Sequence, residues 1–178
     1  EMAGITGEAK YSDLLEWQLY NASGVGMGLD GTTYLYNNPL TCQGGVTRKP
    51  WYAVPCCPSN LSRTWADLGK YVFSSGEDEI RIHQYISSEA AGECAKVKIQ
   101  SGLPWDGKVE ITVNPPETSE FTLSLRIPSW SQASSIKVNE KLHPSSFTLP
   151  TLSSTACGYD PRRSTWLSIR REWLAGDV

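Results

Sequence analysis

The feature of this chain most able to do chemistry is a pair of adjacent cysteines followed by a proline. Cys56 and Cys57 precede Pro58 and a run of residues with helical periodicity. Neighbouring thiols rarely form a disulfide with each other, because the peptide between them would have to distort. They are better suited to bind one metal ion together, or to pair one ligand thiolate with one nucleophile. The N-terminus of the following helix favours the thiolate in either case.

The residues leave two interpretations of this pair open. In the first, the cysteines are small buried apolar residues at a tight turn. In the second, they are half of a zinc site, which needs four ligands drawn from Cys, His, Asp and Glu. The histidines, His83 and His143, lie in the second half of the chain, and Cys42 is the nearby thiol. A zinc site would therefore need Cys42 and a carboxylate, or ligands from additional sequence.

Composition and charge exclude several classes of protein. The chain has 178 residues, 39% apolar and 20% charged, which is typical of a globular protein with one good core or two small ones. The net charge of −3 is spread along the sequence, so neither a nucleic-acid partner nor a polybasic membrane surface is indicated. No apolar run is long enough to span a bilayer. The odd count of five cysteines favours a reducing compartment such as the cytoplasm over a disulfide framework.

Both termini resemble the interior of a longer protein. Residues 1–6 resemble the end of a helix whose start is missing, and residues 175–178 resemble a turn that enters another strand. The N-terminus also lacks the basic region and apolar stretch of a signal peptide. We therefore expect the chain to be a piece of a larger polypeptide.

The first 76 residues carry helical patterns separated by turns. Apolar residues predict a first helix that includes Leu15 and Leu19, with Ser12 or Asp13 in its first turn. Asp13 and Glu16 would then be solvated acids on its surface, and no carboxylate pair stands out as a catalytic acid and nucleophile. Asp30-Gly31 predicts a hairpin with a tight type I′ turn, followed by a loop over residues 41–55.

A second helix and a set of strands follow the cysteines. The stripe of Leu61, Trp65, Leu68 and Val72 predicts a helix that Ser74-Ser75-Gly76 terminates. From about residue 78 the apolar period changes from 3.6 to 2, which predicts an antiparallel β-sandwich with one dry and one wet face. Residues 143–165 resemble a long insertion between strands. The fold class is therefore mixed α and β, divided near residue 76.

Aromatic residues flank the cysteine loop. Tryptophans are core residues first and sugar platforms second. Trp51 and Tyr52 next to the cysteines, and Tyr34 and Tyr36 beside Asn38, are harder to explain as core. With Arg48 from the same loop, they predict a polar pocket with aromatic walls, which suits a sugar.

A series of motifs carries a resemblance to a known family over nearly the whole chain. In order, they are Leu15-Glu16, Leu19-Tyr20-Asn21, Leu29-Asp30-Gly31, Tyr36-Asn37-Asn38-Pro39-Leu40, Arg48, Trp51, Cys56-Cys57-Pro58-Ser59-Asn60, Arg63, His83-Gln84-Tyr85-Ile86, Leu103-Pro104-Trp105-Asp106-Gly107, Leu125-Arg126-Ile127-Pro128-Ser129-Trp130, Val138-Asn139 and Arg171-Glu172-Trp173. The series resembles glycoside hydrolase family 127, the β-L-arabinofuranosidase group.

The resemblance implies a fold and an activity. It implies the last helices of an (α/α)₆ barrel in residues 1–76, and a β-sandwich, truncated at its end, in residues 77–178. It implies an enzyme that removes terminal β-L-arabinofuranose from an arabinose-containing oligosaccharide or glycan with retention, using a cysteine nucleophile bound to zinc. By this resemblance Cys56 is the nucleophile and a zinc ligand, and Cys57 is a second ligand. By the resemblance Tyr36 would also contact the sugar, and we predict Asn38, Arg48 and Trp51 as further substrate contacts.

The chain departs from the family pattern in ways that limit this expectation. The family's other zinc ligands lie in an upstream Glu-x-Cys motif and its acid/base is a glutamate further upstream, and this sequence contains no Glu-x-Cys. Thr41 occupies a position where relatives often carry an acid, and Cys42 next to it is a local novelty. We therefore expect the chain alone to be inactive, and its uncovered barrel helices to favour self-association.

Two alternatives remain at the level of sequence. In one, the sandwich is a carbohydrate-binding module whose contacts are drawn from Trp105, Trp130, Trp166 and Trp173. In the other, the cysteines only pack and the sandwich only supports the barrel.

Overall fold

The computed structural model describes residues 1–37, 39–144, 147–148, 160 and 163–178, with side chains at all of these except 147–148. Asn38, Cys157 and most of the predicted insertion lie outside the described residues. The chain forms two compact units. One contains Leu14–Leu68, and the other combines Glu1–Asp13 with Gly69–Val178. The domain boundary near residue 76 stays a prediction.

The helical patterns form two α-helices before the cysteine loop. They are α1 (Met2–Thr6) and α2 (Ala9–Gln18), and α2 continues as a π-helical turn (Leu19–Ser23) and a 3₁₀ turn (Gly24–Gly26). The predicted first helix is therefore present and ends in the glycine-rich segment. Within the described part of the chain, no helix has the length and apolar character needed to cross a membrane.

The predicted hairpin is present, but its turn differs from the predicted one. Met27 and Tyr34 form an antiparallel bridge, and the Gly31 N–H donates to the Gly28 carbonyl at 2.9 Å. The turn is thus centred on Leu29-Asp30, and only Gly31 has a positive φ, of 71°. The prediction of a type I′ turn at Asp30-Gly31 is wrong, because Asp30 contributes its carboxylate to the Thr32 N–H instead of adopting a left-handed conformation.

The second helix is shorter than its apolar stripe predicts. It is α3 (Cys56–Ala66), followed by a 3₁₀ turn (Leu68–Tyr71). Ser74-Ser75-Gly76 does not terminate it, because Phe73–Ser75 forms the first strand of the sandwich. Val72 belongs to the sandwich core rather than to a helix face, and is 2% exposed.

Alternating apolar residues form the strands of the sandwich, and the predicted fold class is confirmed. The strands are β1 (Phe73–Ser75), β2 (Glu79–Ile82), β3 (Ser88–Ala91), β4 (Lys96–Ser101), β5 (Val109–Asn114), β6 (Ser119–Ile127), β7 (Ala133–Ser134), β8 (Lys137–Val138), β9 (Lys141–Leu142), β10 (Phe147–Thr148) and β11 (Thr165–Trp173).

The main sheets are a four-stranded sheet, in the order β1-β2-β6-β11, and a three-stranded sheet, in the order β3-β4-β5. Their inward residues, among them Ile80, Val97, Phe121 and Ile169, form one core. The expectation of an antiparallel sandwich needs one correction, because β2 and β6 are parallel: the chain builds the β3-β4-β5 sheet between them and returns in the same direction.

A buried polar network joins the first residues of the chain to this sandwich. Asp13 forms an ion pair with Arg126 at 2.6 Å, with both side chains fully buried. The Ser129 N–H and hydroxyl also donate to the Asp13 carboxylate. Ser12 contacts His83 Nδ1 at 2.7 Å. The prediction that Asp13 is a solvated surface acid is therefore wrong, because β6 supplies a cation that the sequence pattern does not place beside it.

Candidate active site

The N-terminus of α3 presents the two cysteines to solvent. Both Cys56 and Cys57 are exposed, so the interpretation of the pair as buried packing residues is wrong. The Cys56 carbonyl accepts hydrogen bonds from the Asn60 amide at 2.8 Å and from the Ser59 hydroxyl at 3.2 Å. Arg63 in turn donates to Asn60 at 3.1 Å. These contacts fix the first turn of α3 and the backbone that carries the two sulfurs.

The Tyr36 side chain meets the first of the two sulfurs. Its hydroxyl lies 3.1 Å from Cys56 Sγ, and Cys56 Sγ lies 3.8 Å from Cys57 Sγ. One cluster is thus formed by Tyr36, Cys56 and Cys57, although up to 21 positions separate them in sequence.

The cluster makes the two thiols chemically unequal. The hydrogen bond from Tyr36, followed by that from Cys57, lowers the pKa of Cys56 below its usual range. Its sulfur raises the pKa of Tyr36 to about 12, so this hydroxyl remains a donor at neutral pH. The hydrogen bond to Cys56 raises the pKa of Cys57. Cys56 is therefore the thiol that ionises first, which is the property required of a nucleophile.

The segment that carries Tyr36 is held by the loop that precedes the cysteines. Tyr34 pairs with Lys49 through two backbone hydrogen bonds, of 2.8 and 2.9 Å. The Tyr52 hydroxyl donates to the Tyr34 carbonyl at 2.9 Å and accepts the Tyr36 N–H at 3.2 Å. The sequence placed Tyr34 and Tyr52 only in a pocket wall, because hydrogen bonds between loops leave no periodic signal.

Two other predicted substrate contacts, Trp51 and Arg48, contact other residues of this unit. Trp51 is 51% exposed and its ring packs edge-on against Tyr34, with ring centroids 5.6 Å apart. Arg48 donates at 2.8 Å to the carbonyl of Val25, which lies in the 3₁₀ turn before the hairpin. Asn38 lies outside the described residues.

The two sulfurs fit one half of a zinc site. Two thiolates on one tetrahedral zinc ion, each about 2.3 Å from the metal, lie about 3.8 Å apart. Cys56 Sγ and Cys57 Sγ have this separation. Among the described residues, no His, Cys, Asp or Glu joins them to make a group of three, so Cys42 and a nearby carboxylate do not complete the site.

Comparisons with known proteins identify the family of this chain. Residues 1–70 match the profile of the β-L-arabinofuranosidase GH127 catalytic domain, and residues 79–178 match that of the GH127 middle domain. A non-reducing end β-L-arabinofuranosidase from Bifidobacterium longum subsp. longum is 34% identical over 159 residues. The match covers 79% of this chain and 24% of that relative.

Solved structures show the same relationship over a longer stretch. A GH127 β-L-arabinofuranosidase from Geobacillus stearothermophilus T6 is 31% identical, with a TM-score of 0.73, and the match covers 99% of this chain and 28% of that one. A structure described as a GH127 β-arabinofuranosidase gives 31% identity and a TM-score of 0.75, again over 99% and 28% of the two chains.

The chain thus spans about a quarter of the length of these relatives. Its family is the same by both family profiles, by the similar sequence and by the similar folds. The chain belongs to glycoside hydrolase family 127, and its residues 1–70 and 79–178 match the catalytic and middle domains of that family.

Proposed function

We propose that this chain carries the nucleophile of a retaining glycoside hydrolase that removes terminal β-L-arabinofuranose, and that Cys56 is this nucleophile. The observation that carries the proposal is the contact of 3.1 Å between the Tyr36 hydroxyl and the exposed Cys56 sulfur at the start of α3. The specificity follows the relatives, which are described as β-L-arabinofuranosidases.

Cys56 and Cys57 are the residues of this chain that would hold a zinc ion. The separation of 3.8 Å between their sulfurs supports this assignment. When bound, zinc supplies a positive charge that keeps a coordinated thiol deprotonated at neutral pH. The hydrogen bond from Tyr36 also favours the thiolate, because it lowers the pKa of Cys56.

The proposed reaction has two displacements at the anomeric carbon. The Cys56 thiolate attacks this carbon, a C–S bond forms, and the bond to the leaving oxygen breaks with its electron pair. A general acid protonates that oxygen, and water activated by the same group as base then displaces the sulfur. Two inversions give net retention, as in glycosidases with a carboxylate nucleophile.

The chain supplies only part of this machinery. No carboxylate of the described residues groups with the two cysteines, and the sequence lacks the Glu-x-Cys motif expected to hold the other zinc ligands. We therefore propose that the acid/base and two ligands come from additional sequence, and that the chain alone does not turn over. Tyr36, Asn38, Arg48 and Trp51 are proposed contacts for the arabinose-containing glycan.

A sugar-directed label tests the assignment of Cys56. The probe is a haloacetamide attached to β-L-arabinofuranose, and the sites it modifies are located by peptide mass spectrometry. We expect faster modification at Cys56 than at Cys42, and protection of Cys56 by free L-arabinose. Cys42 is the matched control, because it is an exposed thiol of the same unit. Equal labelling of these thiols, or no protection, would contradict the proposal.

A second candidate function is carbohydrate binding by the sandwich. Of the four tryptophans considered for it, Trp173 is 2% exposed and belongs to the core, whereas Trp105 is 94% exposed. Trp105 lies in the Gly102–Lys108 loop beside a polar cleft of about 650 Å³ that is lined by residues such as Gln100 and Glu110. A Trp105→Ala variant that loses binding of arabino-oligosaccharides, measured by calorimetry, would support this function, and unchanged binding would exclude Trp105.

A further inference from the structure

Tyr52 contacts the backbone of the segment that carries Tyr36 at two points. Its hydroxyl donates to the Tyr34 carbonyl at 2.9 Å and accepts the N–H of Tyr36 at 3.2 Å. The rings of Tyr36 and Tyr52 also pack together, with centroids 5.3 Å apart and planes tilted by 47°. One side chain thus fixes both the backbone and the ring of Tyr36.

The same segment is held on its other side by α3. The Ser62 hydroxyl donates to the Pro58 carbonyl at 2.9 Å, and its oxygen lies 3.2 Å from the Tyr34 hydroxyl. Tyr34 is therefore tied to the helix that carries the cysteines, and Tyr52 connects Tyr34 to Tyr36.

The hydrogen bonds of Tyr52 require its hydroxyl group. This oxygen acts at once as a donor and as an acceptor, a combination that Phe cannot provide and that the indole N–H of Trp cannot provide. The Tyr52 hydroxyl does not itself contact Cys56 in its described hydrogen bonds, whose partners are Tyr34 and Tyr36. Its effect on the sulfur must therefore pass through Tyr36.

We infer that Tyr52 is a positioning residue that orients the Tyr36 hydroxyl onto the Cys56 sulfur. This inference rests on the proposed role of Cys56 as nucleophile. The loop before the cysteines, which contains Tyr52, would then help to align that nucleophile. Without the Tyr52 hydroxyl, the Tyr36 backbone loses its bond to the loop and the Tyr36 side chain samples orientations away from Cys56.

The test compares Tyr52→Phe with Tyr20→Phe in the full 178-residue chain. Tyr20 is a matched control, because it is a half-exposed tyrosine of the same unit that loses the same atom. With ring-labelled tyrosine, NMR measures the nuclear Overhauser effect between the Tyr36 ring and the Cys56 β-protons. We expect this effect to be lost in Tyr52→Phe and kept in Tyr20→Phe, while the α3 amide signals stay in place.

A chemical readout accompanies the structural one. The ratio of maleimide modification at Cys56 to that at Cys57, at one fixed pH, should fall by about three- to tenfold in Tyr52→Phe, as expected for the loss of one hydrogen bond. Tyr36→Phe should give the same fall. The double variant should show no further change, because both substitutions remove the same contact.

Three results would overturn the inference. They are an unchanged Tyr36–Cys56 signal in Tyr52→Phe, a loss of that signal together with the α3 amide signals, and additive effects in the double variant. The first would show that Tyr52 does not orient Tyr36, the second that Tyr52 supports the whole unit, and the third that Tyr52 acts on Cys56 independently of Tyr36. The nuclear Overhauser effect does not depend on sugar recognition, so a failure of the sugar-directed label would count against the proposed function separately.

Discussion

Asp13 and Arg126, which are 113 residues apart, form an ion pair of 2.6 Å in which both side chains are 0% exposed. Arg126 Nε also donates to the His83 carbonyl at 2.6 Å, and Ser129 donates twice to the Asp13 carboxylate. The pair thus joins Asp13, in the first part of α2, to β6 within one unit. Its removal should be costly, because it would leave a buried charge without its counter-charge.

We expect Asp13→Asn to lower the free energy of unfolding of the sandwich unit by about 3 to 5 kcal/mol. Asparagine keeps the shape of the side chain but removes the charge opposite Arg126. Urea denaturation followed by tryptophan fluorescence measures the effect. Glu117→Gln, the same chemical change at an exposed site, should alter stability by less than about 0.5 kcal/mol. Equal stabilities of the two variants would show that the pair does not stabilise the sandwich unit.

The stability of the same unit should fall in mild acid through His83. Burial, followed by the charges of Arg81 and Arg126, lowers the pKa of His83 to about 4. The unfolded histidine titrates near pH 6.5, so between about pH 6.5 and 4 the unfolded state binds more protons than the folded state. The contribution of His83 to the free energy of unfolding is therefore fully present above pH 6.5. It is lost as the pH falls towards 4, which lowers this free energy by up to about 3 kcal/mol.

His83→Gln provides the comparison for this prediction. Other carboxylates titrate in the same pH range, so the informative quantity is the difference in unfolding free energy between the two proteins at each pH. This difference should change between pH 6.5 and 4 and remain constant above that range. Parallel pH profiles would show that His83 does not titrate as its burial requires.

Tyr36→Phe should move the pH profile of Cys56 alkylation to higher pH. The hydrogen bond from Tyr36 is the main cause that lowers the pKa of Cys56, and phenylalanine cannot donate it. Iodoacetamide rates measured by mass spectrometry across the pH range report each thiol separately. The profile of Cys42 should stay where it is. A Cys56 profile that does not move would mean that the contact of 3.1 Å does not act on the thiol.

The sequence predicted the parts of the fold that depend on periodicity. The alternation of residues such as Ile80, Ile82 and Leu123 identified sandwich strands, because inward positions of a strand repeat every two residues. The same reasoning extended the second helix too far. Val72 continues the helical stripe by spacing, yet it is buried in the sandwich because the chain changes direction before it.

Contacts between distant residues were beyond the reach of the sequence pattern. Arg126 occupies what resembles a wet position of β6, but it is fully buried because Asp13 neutralises it. In the candidate site, the motifs identified Tyr36, Cys56 and Cys57, which the structure brings together. The role of Tyr52 depends on two hydrogen bonds across the loop, which a residue type alone does not reveal.

Zinc binding should depend on Cys57 and not on Cys42. Both are exposed cysteines of the same unit, but only Cys57 lies 3.8 Å from the Cys56 sulfur. Native mass spectrometry with added zinc should show one bound ion in the unmodified chain and in Cys42→Ser. Cys57→Ser should weaken binding by at least about tenfold, since even loss of an outer-shell partner costs that much. Equal zinc binding by both variants would remove Cys57 from the proposed site.

The most direct test of Cys56 as nucleophile is to trap the sugar on it. With a dinitrophenyl β-L-arabinofuranoside, the leaving group departs without acid assistance, and a chain that lacks the general base should release the sugar slowly. We predict that the zinc-loaded chain accumulates one pentosyl group, which peptide mass spectrometry locates on Cys56 and which Cys56→Ser abolishes. Release of dinitrophenol without a sugar on Cys56, or an adduct that persists in Cys56→Ser, would contradict the assignment.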